Sequence, residues 1–154
     1  MTDCIFCTIA EGKSPAFKIR ENDAFIAFLD LFPNTKGQTL VIPKKHYVSD
    51  LFLIEEKGFY ENYLEATREV VNLLKKGLGV HRVAMVMEGM GVNHLHIKLY
   101  PLHGLGQEWK ETNPKETTWF DQYEGYVSTQ MGEKADFEVL GNVQMQINNA
   151  AALN

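Results

Sequence analysis

A chain of 154 residues has room for one domain of ordinary size, and its 45% hydrophobic and 23% charged residues are typical of a globular protein. No apolar run approaches the roughly 20 residues of a membrane span, and a formal net charge of −5 argues against general nucleic-acid binding, which needs a basic face. The start, MTDCIFCTIA, has no basic segment before an apolar run, unlike a secretory signal. We therefore expect a cytoplasmic protein with no membrane or nucleic-acid partner, whose two cysteines are thiols or metal ligands.

The first part of the chain predicts three strands. They are FKIREN (17–22), AFIAFLD (24–30) and QTLVIP (38–43), which are rich in β-branched and aromatic residues. The segment PNTKG (33–37) has turn composition and separates the second strand from the third, which Pro43 ends.

The middle of the chain predicts a long helix followed by a hairpin. Over residues 55–76 an apolar residue recurs every three or four positions, as an amphipathic helix requires, at Phe59, Tyr63, Ala66, Val70 and Leu74. RVAMVME (82–88) and HLHIKLY (94–100) predict two antiparallel strands joined by the loop GMGVN. The order of elements favours an α+β fold with an antiparallel sheet of about five strands and one long helix.

Beyond residue 103 the composition becomes polar and irregular. Aromatic residues persist there, at Trp109, Trp119, Phe120, Tyr123 and Tyr126, so part of this segment is expected to pack. We divide the chain into a domain of residues 1–103 and a C-terminal extension of residues 104–154. The extension is expected to pack on the same domain or across a dimer interface, with a disordered end at NNAAALN.

Cys4 and Cys7 form a Cys-x-x-Cys pair near the start. Such a pair binds metal, forms a redox couple or packs as two small hydrophobic side chains. The redox interpretation expects a strand-to-helix βαβ setting, which the predicted elements lack. His46 follows the third strand and His94 begins the last one, and two cysteines with two histidines have the composition of a structural zinc site.

The last predicted strand has an unusual polar face. Side chains two residues apart share a face of a strand, so His94, His96, Lys98 and Tyr100 form one row and the apolar residues between them form the other. Adjacent groups of like charge repel each other on a sheet. An anion or a metal beside the row relieves that repulsion, and the alternative is a solvated edge face.

Three segments together resemble the histidine triad (HIT) family in its bacterial, zinc-containing type. They are CIFCTIAEGKSPA, AFIAFLDLFPNTKGQTLVIPKKHY and HLHIKLYP, in the order and spacing of that family, whose signature is His-φ-His-φ-His-φ-φ with φ apolar. The resemblance covers residues 3 to 101. It implies a HIT-like fold, a homodimer, and a hydrolase that cuts at the α-phosphate of nucleoside phosphoramidates or dinucleoside polyphosphates, with a purine nucleotide as substrate.

The resemblance also implies residue roles. The second histidine of the signature attacks phosphorus, so His96 is the expected nucleophile, and neutral imidazole suits that task near pH 7. Lys98 is expected to supply fixed positive charge. A structural zinc ion is expected on Cys4, Cys7, His46 and His94.

Nucleotide contacts follow from the same resemblance. Asp30 falls at the ribose position, and its alternative role is to start the turn before LFPN. Gly91 belongs to a loop whose backbone N–H groups approach phosphate. The apolar slot for the base is expected from Ile5, Phe6, Ile9, Phe28, Leu29 and Leu31, for which the alternative is plain core.

The chain departs from the family pattern at several positions. Lys98 replaces the third histidine, Met87 stands where asparagine is frequent, and Leu102 follows Pro101 in place of an arginine. These departures keep two alternatives open: a nucleotide-binding or interaction module without turnover, and a nucleotidyltransferase of the same superfamily. The homodimer suggests that a C-terminal tryptophan reaches the site of the partner.

Overall fold

The computed structural model describes residues 4–111, 122 and 134–152. Five strands form one antiparallel sheet in the order β1-β2-β3-β5-β4. Their bounds are Lys18–Glu21 (β1), Phe25–Leu29 (β2), Thr39–Pro43 (β3), Val83–Val86 (β4) and Ile97–Pro101 (β5). The predicted α+β fold with a five-stranded antiparallel sheet is confirmed.

Within the described residues, three helices accompany the sheet: α1 (Ile5–Ala10), α2 (Phe59–Leu78) and α3 (Phe137–Ala152), with a short 3-10 turn at Leu51–Leu53. The long predicted helix is α2, shifted toward the C-terminus because Gly58 and Gly79, both with positive φ, flank it. The sequence analysis did not predict α1 or α3. No helix in the described part of the chain is long and apolar enough to cross a membrane.

The sheet is covered on both faces, which is why β2 and β3 are buried throughout. One face packs against α2 and α3 in the main core, where Val41, Leu74 and Leu99 lie. The opposite face packs against α1 through a smaller cluster that includes Phe6, Phe28 and Ile42. Strands buried on both faces read as continuous apolar runs, so their sequence alone does not say which face carries a site.

Strand β5 lies in the interior of the sheet, between β3 and β4. It begins at Ile97, three residues later than the predicted start, and the connection from β4 runs through residues 87–96 rather than through GMGVN alone. The predicted alternation nevertheless holds, because Ile97 and Leu99 face the main core while His96 and Lys98 border the opposite face. The two histidines therefore lie in the chain that enters the strand.

Helix α3 closes the main core from the side of α2. Leu140, Val143 and Ile147 are buried there, and the close approach depends on Gly77 of α2. A Cβ atom at Gly77 would lie 2.4 Å from the Cα atom of Ile147. Residues 148–152 continue this helix, and the disordered end predicted for NNAAALN stays a prediction. Residues 153 and 154 lie outside the described part.

Candidate functional site

Four side chains from distant parts of the chain meet beside α1. The ligand atoms of Cys4, Cys7, His46 and His94 all lie within 4.8 Å of one another. The Sγ atom of Cys7 is 3.2 Å from Nδ1 of His46 and 3.5 Å from Nδ1 of His94, and Cys4 Sγ is 3.4 Å from the same His94 nitrogen. Zinc bonds of about 2.3 Å to sulfur and 2.0–2.1 Å to nitrogen give a tetrahedral S···N separation of about 3.6 Å. The group therefore fits one tetrahedral ion.

His94 is fully buried, and its ring is oriented by the backbone. The Nε2–H group donates a hydrogen bond of 2.9 Å to the carbonyl oxygen of Pro43, the last residue of β3. A carbonyl oxygen only accepts, so the proton resides on Nε2 and Nδ1 presents its lone pair toward the two sulfur atoms. This is the tautomer that a metal ligand needs, with the backbone partner that fixes it.

The environment of the Cys7 thiol favours metal binding over the chemistry of a free thiolate. Burial, followed by the neighbouring Cys4, raises the pKa of Cys7 to about 11 without an ion. The Cys7 thiol therefore holds its proton at neutral pH until a cation displaces it. A redox pair requires a lowered thiol pKa, so the raised pKa of Cys7 argues against that alternative.

A cavity of about 270 Å³ opens next to the metal ligands, on the α1 face of the sheet. It is bordered by His96 and by every residue predicted for nucleotide contacts, namely Ile5, Phe6, Ile9, Phe28, Leu29, Asp30, Leu31, Gly91 and Lys98. Leu29 borders it although its side chain belongs to the main core. Lining residues that the sequence analysis missed are Pro15, Ala16, Phe32, Leu40 and Val92, whose apolar character had no periodic signal.

His96 is 3% exposed and has a defined tautomer. Its Nδ1–H group donates a 2.7 Å hydrogen bond to the carbonyl oxygen of His94, which leaves the lone pair on Nε2. Burial lowers the pKa of His96, and the positive charge of Lys98 adds to that lowering. The imidazole is therefore neutral at pH 7 and able to act as a nucleophile.

Lys98 lies at the edge of the cavity and is 9% exposed, so the solvated-edge alternative does not describe this row. Its Nζ atom is 3.9 Å from Oε2 of Glu88, and the two side chains are 11% and 10% exposed. The sequence analysis did not identify Glu88. It follows β4 by two residues, and since Val86 pairs with Lys98, strand alternation was the signal that placed its side chain on the same face.

Asp30 starts a turn, as its alternative role predicted, and it also borders the cavity. Its Oδ1 atom accepts a 2.9 Å hydrogen bond from the backbone N–H of Phe32, and Oδ2 accepts one of 2.7 Å from the Gln38 amide. Two fixed donors hold the carboxylate in one orientation. Its remaining lone pairs are able to accept further hydrogen bonds.

Gly89 and Gly91, in the loop that precedes His94 and His96, have different surroundings. Gly89 has a φ of +73°, and a Cβ there would lie 1.9 Å from the Ser49 hydroxyl oxygen, whereas nothing lies within 4 Å of a Cβ at Gly91. Gly91 borders the cavity and Met87 packs against the main core. The backbone conformation of the loop therefore requires glycine at Gly89, whereas the position of Gly91 has free space for a side chain or a ligand.

The tryptophans suggested for a partner's site divide between two parts of the chain. Trp109 is 72% exposed, and Trp119 lies outside the described residues. The contact with a partner stays a prediction.

The sequence of this chain is similar to that of one known protein family. The HIT domain family matches residues 11–105. An uncharacterized HIT-like protein from Saccharolobus solfataricus is 32% identical over 146 residues, which is 91% of this chain and 99% of that protein. The fold and the site define an α+β protein with a metal-type cluster beside a histidine-bearing cavity. The chain belongs to the HIT family.

Solved structures agree on the fold. A zinc-bound histidine triad family protein from Mycobacterium smegmatis has a TM-score of 0.67 at 22% identity, covering 97% of this chain and 94% of that one. A hypothetical histidine triad nucleotide-binding protein from Sulfolobus tokodaii has a TM-score of 0.64 at 23% identity, covering 97% and 92%. Both likenesses extend past the family match into the C-terminal extension.

Proposed function

We propose that this chain is a nucleotide hydrolase that acts at the α-phosphate of nucleoside phosphoramidates or dinucleoside polyphosphates. The observation that carries the proposal is His96, a buried neutral imidazole whose Nε2 lone pair is available at the edge of a mostly apolar cavity. A carboxylate at Asp30 and an ammonium at Lys98 border the same cavity. Apolar walls with few convergent polar groups are typical of a small-molecule site.

The reaction has two steps in this proposal. Nε2 of His96 attacks the α-phosphorus, a P–N bond forms, and the bond to the leaving group breaks with its electron pair. Water then attacks the nucleotidyl-histidine, which returns the imidazole and releases the nucleoside monophosphate. Lys98 stabilises charge on a non-bridging oxygen, and the hydrogen bond from His96 to the His94 carbonyl stabilises the imidazole as positive charge develops.

The apolar walls are proposed to hold a purine base, and Asp30 the ribose hydroxyl groups. The Sulfolobus tokodaii protein, which carries nucleotide binding in its name, supports this assignment through the shared fold. A carboxylate accepts two hydroxyl donors well, and Asp30 is already held in position by Gln38. The backbone at Gly91 is proposed to approach phosphate.

A zinc ion is proposed on Cys4, Cys7, His46 and His94. The support is the tetrahedral spacing of the ligand atoms and the fixed tautomer of His94, together with the zinc in the Mycobacterium smegmatis relative. Four protein ligands close the coordination shell, so this ion would stabilise the fold and would not activate water. A homodimer is proposed from the family resemblance.

The test is single-turnover mixing of the protein with adenosine 5′-phosphoramidate and, separately, with diadenosine polyphosphates. We expect a nucleotidyl adduct on His96, found by mass spectrometry of the quenched protein. His96→Ala should abolish the adduct and retain nucleotide binding, whereas His81→Ala, at an exposed histidine, should form it at the wild-type rate. Normal turnover by His96→Ala refutes the mechanism, and binding without turnover in the wild type supports a non-catalytic nucleotide-binding module.

A further inference from the structure

The position of the third signature histidine is occupied by an ion pair. Lys98 Nζ faces Glu88 Oε2 at 3.9 Å, and only about a tenth of either side chain is exposed, at 11% and 10%. Both residues border the same face of the sheet as His96, because β4 and β5 pair Val86 with Lys98. The site therefore contains a largely buried ammonium–carboxylate pair next to its proposed nucleophile.

A paired ammonium and an imidazole differ in how readily they donate a proton to a leaving group. An imidazole gives up a proton near neutral pH, since its reference pKa is about 6.5, whereas an alkylammonium has a reference pKa of about 10.4. Removing the proton from Lys98 would also leave the mostly buried Glu88 carboxylate without the positive charge it faces. The geometry of the pair therefore places a positive charge, rather than an imidazole, at this position.

Other proton donors are scarce at this place. Among the described side chains that border the cavity, the ionisable ones are Asp30, His96 and Lys98. Asp30 accepts hydrogen bonds at both oxygens, as a carboxylate does. His96 directs its one N–H at a backbone carbonyl, and its other nitrogen is the attacking atom.

We propose that the Lys98–Glu88 pair restricts this chain to substrates whose leaving group departs as a stable anion. This inference rests on the proposed function and narrows it to nucleotides joined at the α-phosphate to a further phosphate group. As the P–N bond to His96 forms, the P–O bond breaks and its electron pair leaves on a phosphate oxygen, so no proton is required. An amine leaving group would need one proton to depart, and the described cavity has no side chain to donate it.

The experiment compares leaving groups at one fixed pH and with one nucleotide part. Single-turnover adduct formation is measured with diadenosine tetraphosphate, adenosine 5′-phosphoramidate and adenosine 5′-phosphate aryl esters whose phenols differ in pKa. The variants are Lys98→His, which restores a proton donor, and Lys98→Arg, which keeps charge without one. The ratio of polyphosphate to phosphoramidate rates, compared between variants, cancels the intrinsic reactivity of each substrate.

We expect the wild-type rate to rise steeply as the phenol pKa falls, and the polyphosphate-to-phosphoramidate ratio to be retained in Lys98→Arg. Lys98→His should lower that ratio by about tenfold or more, since general acid catalysis contributes about 10²–10⁴-fold. A flat dependence on phenol pKa in the wild type overturns the inference alone, even where Lys98→His does not fold. An unchanged ratio in a folded Lys98→His does the same. Absence of any adduct from any substrate overturns the proposed function, and the inference with it.

Discussion

The ring of Phe6 packs edge-on against His96, with the ring centroids 5.3 Å apart, and it contacts His94 in the same manner at 5.8 Å. Phe6 lies in α1, between the two cysteines of the metal-type cluster. One aromatic side chain therefore touches both a proposed zinc ligand and the proposed nucleophile. The short helix α1 has one buried face and six residues, too few to be stable on its own.

Removing the metal should therefore weaken nucleotide binding as well as stability. We expect about one tightly held zinc per chain in protein purified without added metal, measured by elemental analysis. Chelation, or Cys4→Ala, should lower the Tm and raise the Kd for adenosine monophosphate, because α1 supplies Phe6 and Ile9 to the cavity wall. Unchanged nucleotide affinity in the zinc-free protein would show that α1 holds its place without the ion.

Asp30→Ala should weaken the binding of ribonucleotides selectively. The wild type is expected to bind adenosine monophosphate more tightly than its 2′,3′-dideoxy analogue, because the carboxylate accepts from the ribose hydroxyls. The variant should bind the two ligands alike, as isothermal titration calorimetry measures. Since Asp30 also starts a turn, Asp30→Asn is the matched variant: its side-chain oxygen can still accept the hydrogen bond from the Phe32 N–H, while the carboxylate is removed. Equal wild-type affinity for both ligands would exclude the ribose role.

Lys98→Met should slow adduct formation by roughly tenfold to a thousandfold, the effect of losing one oxyanion contact. Methionine keeps most of the stem and removes the charge. Lys57→Met, at an exposed lysine ahead of α2, controls for loss of one positive charge and should react at the wild-type rate. Quench-flow measurement of the adduct distinguishes them, and a wild-type rate for Lys98→Met would mean that the charge plays no part in the chemistry.

The two loop glycines should respond differently to alanine. Gly89→Ala is expected to lower the free energy of unfolding, because its φ is +73° and the new Cβ would meet Ser49 at 1.9 Å. Gly91→Ala should leave stability unchanged, since its Cβ enters open space, and should weaken nucleotide binding where the substrate occupies that space. Urea unfolding and nucleotide titration on both variants test the pair, and the reverse pattern would contradict the assignment.

Two helical glycines make a second matched pair. Gly→Ala in a helix normally stabilises by up to about 1 kcal/mol, yet at Gly77 the added Cβ would sit 2.4 Å from the backbone of Ile147. Overpacking costs about 1–3 kcal/mol, so Gly77→Ala should destabilise the protein. Gly141→Ala should stabilise it, because the nearest atom, on Phe17, is 4.0 Å away. The Tm of each variant, measured by thermal unfolding, tests this pair of predictions. A higher Tm for Gly77→Ala than for the wild type would mean that α3 packs on α2 more loosely than the structure shows.

The sequence predicted all five strands and α2 because each carries a periodic or continuous apolar pattern. It did not predict α1, whose six residues are too few to show a helical period, or α3, whose apolar stripe is interrupted by polar residues. The α+β fold followed from the order of these elements, and the family followed from segment resemblance. The sequence placed Glu88 at the end of a predicted strand, but it could not show the ion pair with Lys98, because that contact also depends on the register between β4 and β5.

Residues 96 to 99 alternate between two environments on opposite faces of the sheet. Ile97 and Leu99 are completely buried in the main core, while His96 and Lys98 border the cavity. We therefore expect a change at position 98 to alter the proposed reactivity without repacking the core, and a change at position 97 to alter stability without touching the proposed reacting groups. If His96 and Lys98 act as proposed, reactivity and folding are therefore set by alternate positions of one short segment, and the leaving-group preference could change without a change in the main core.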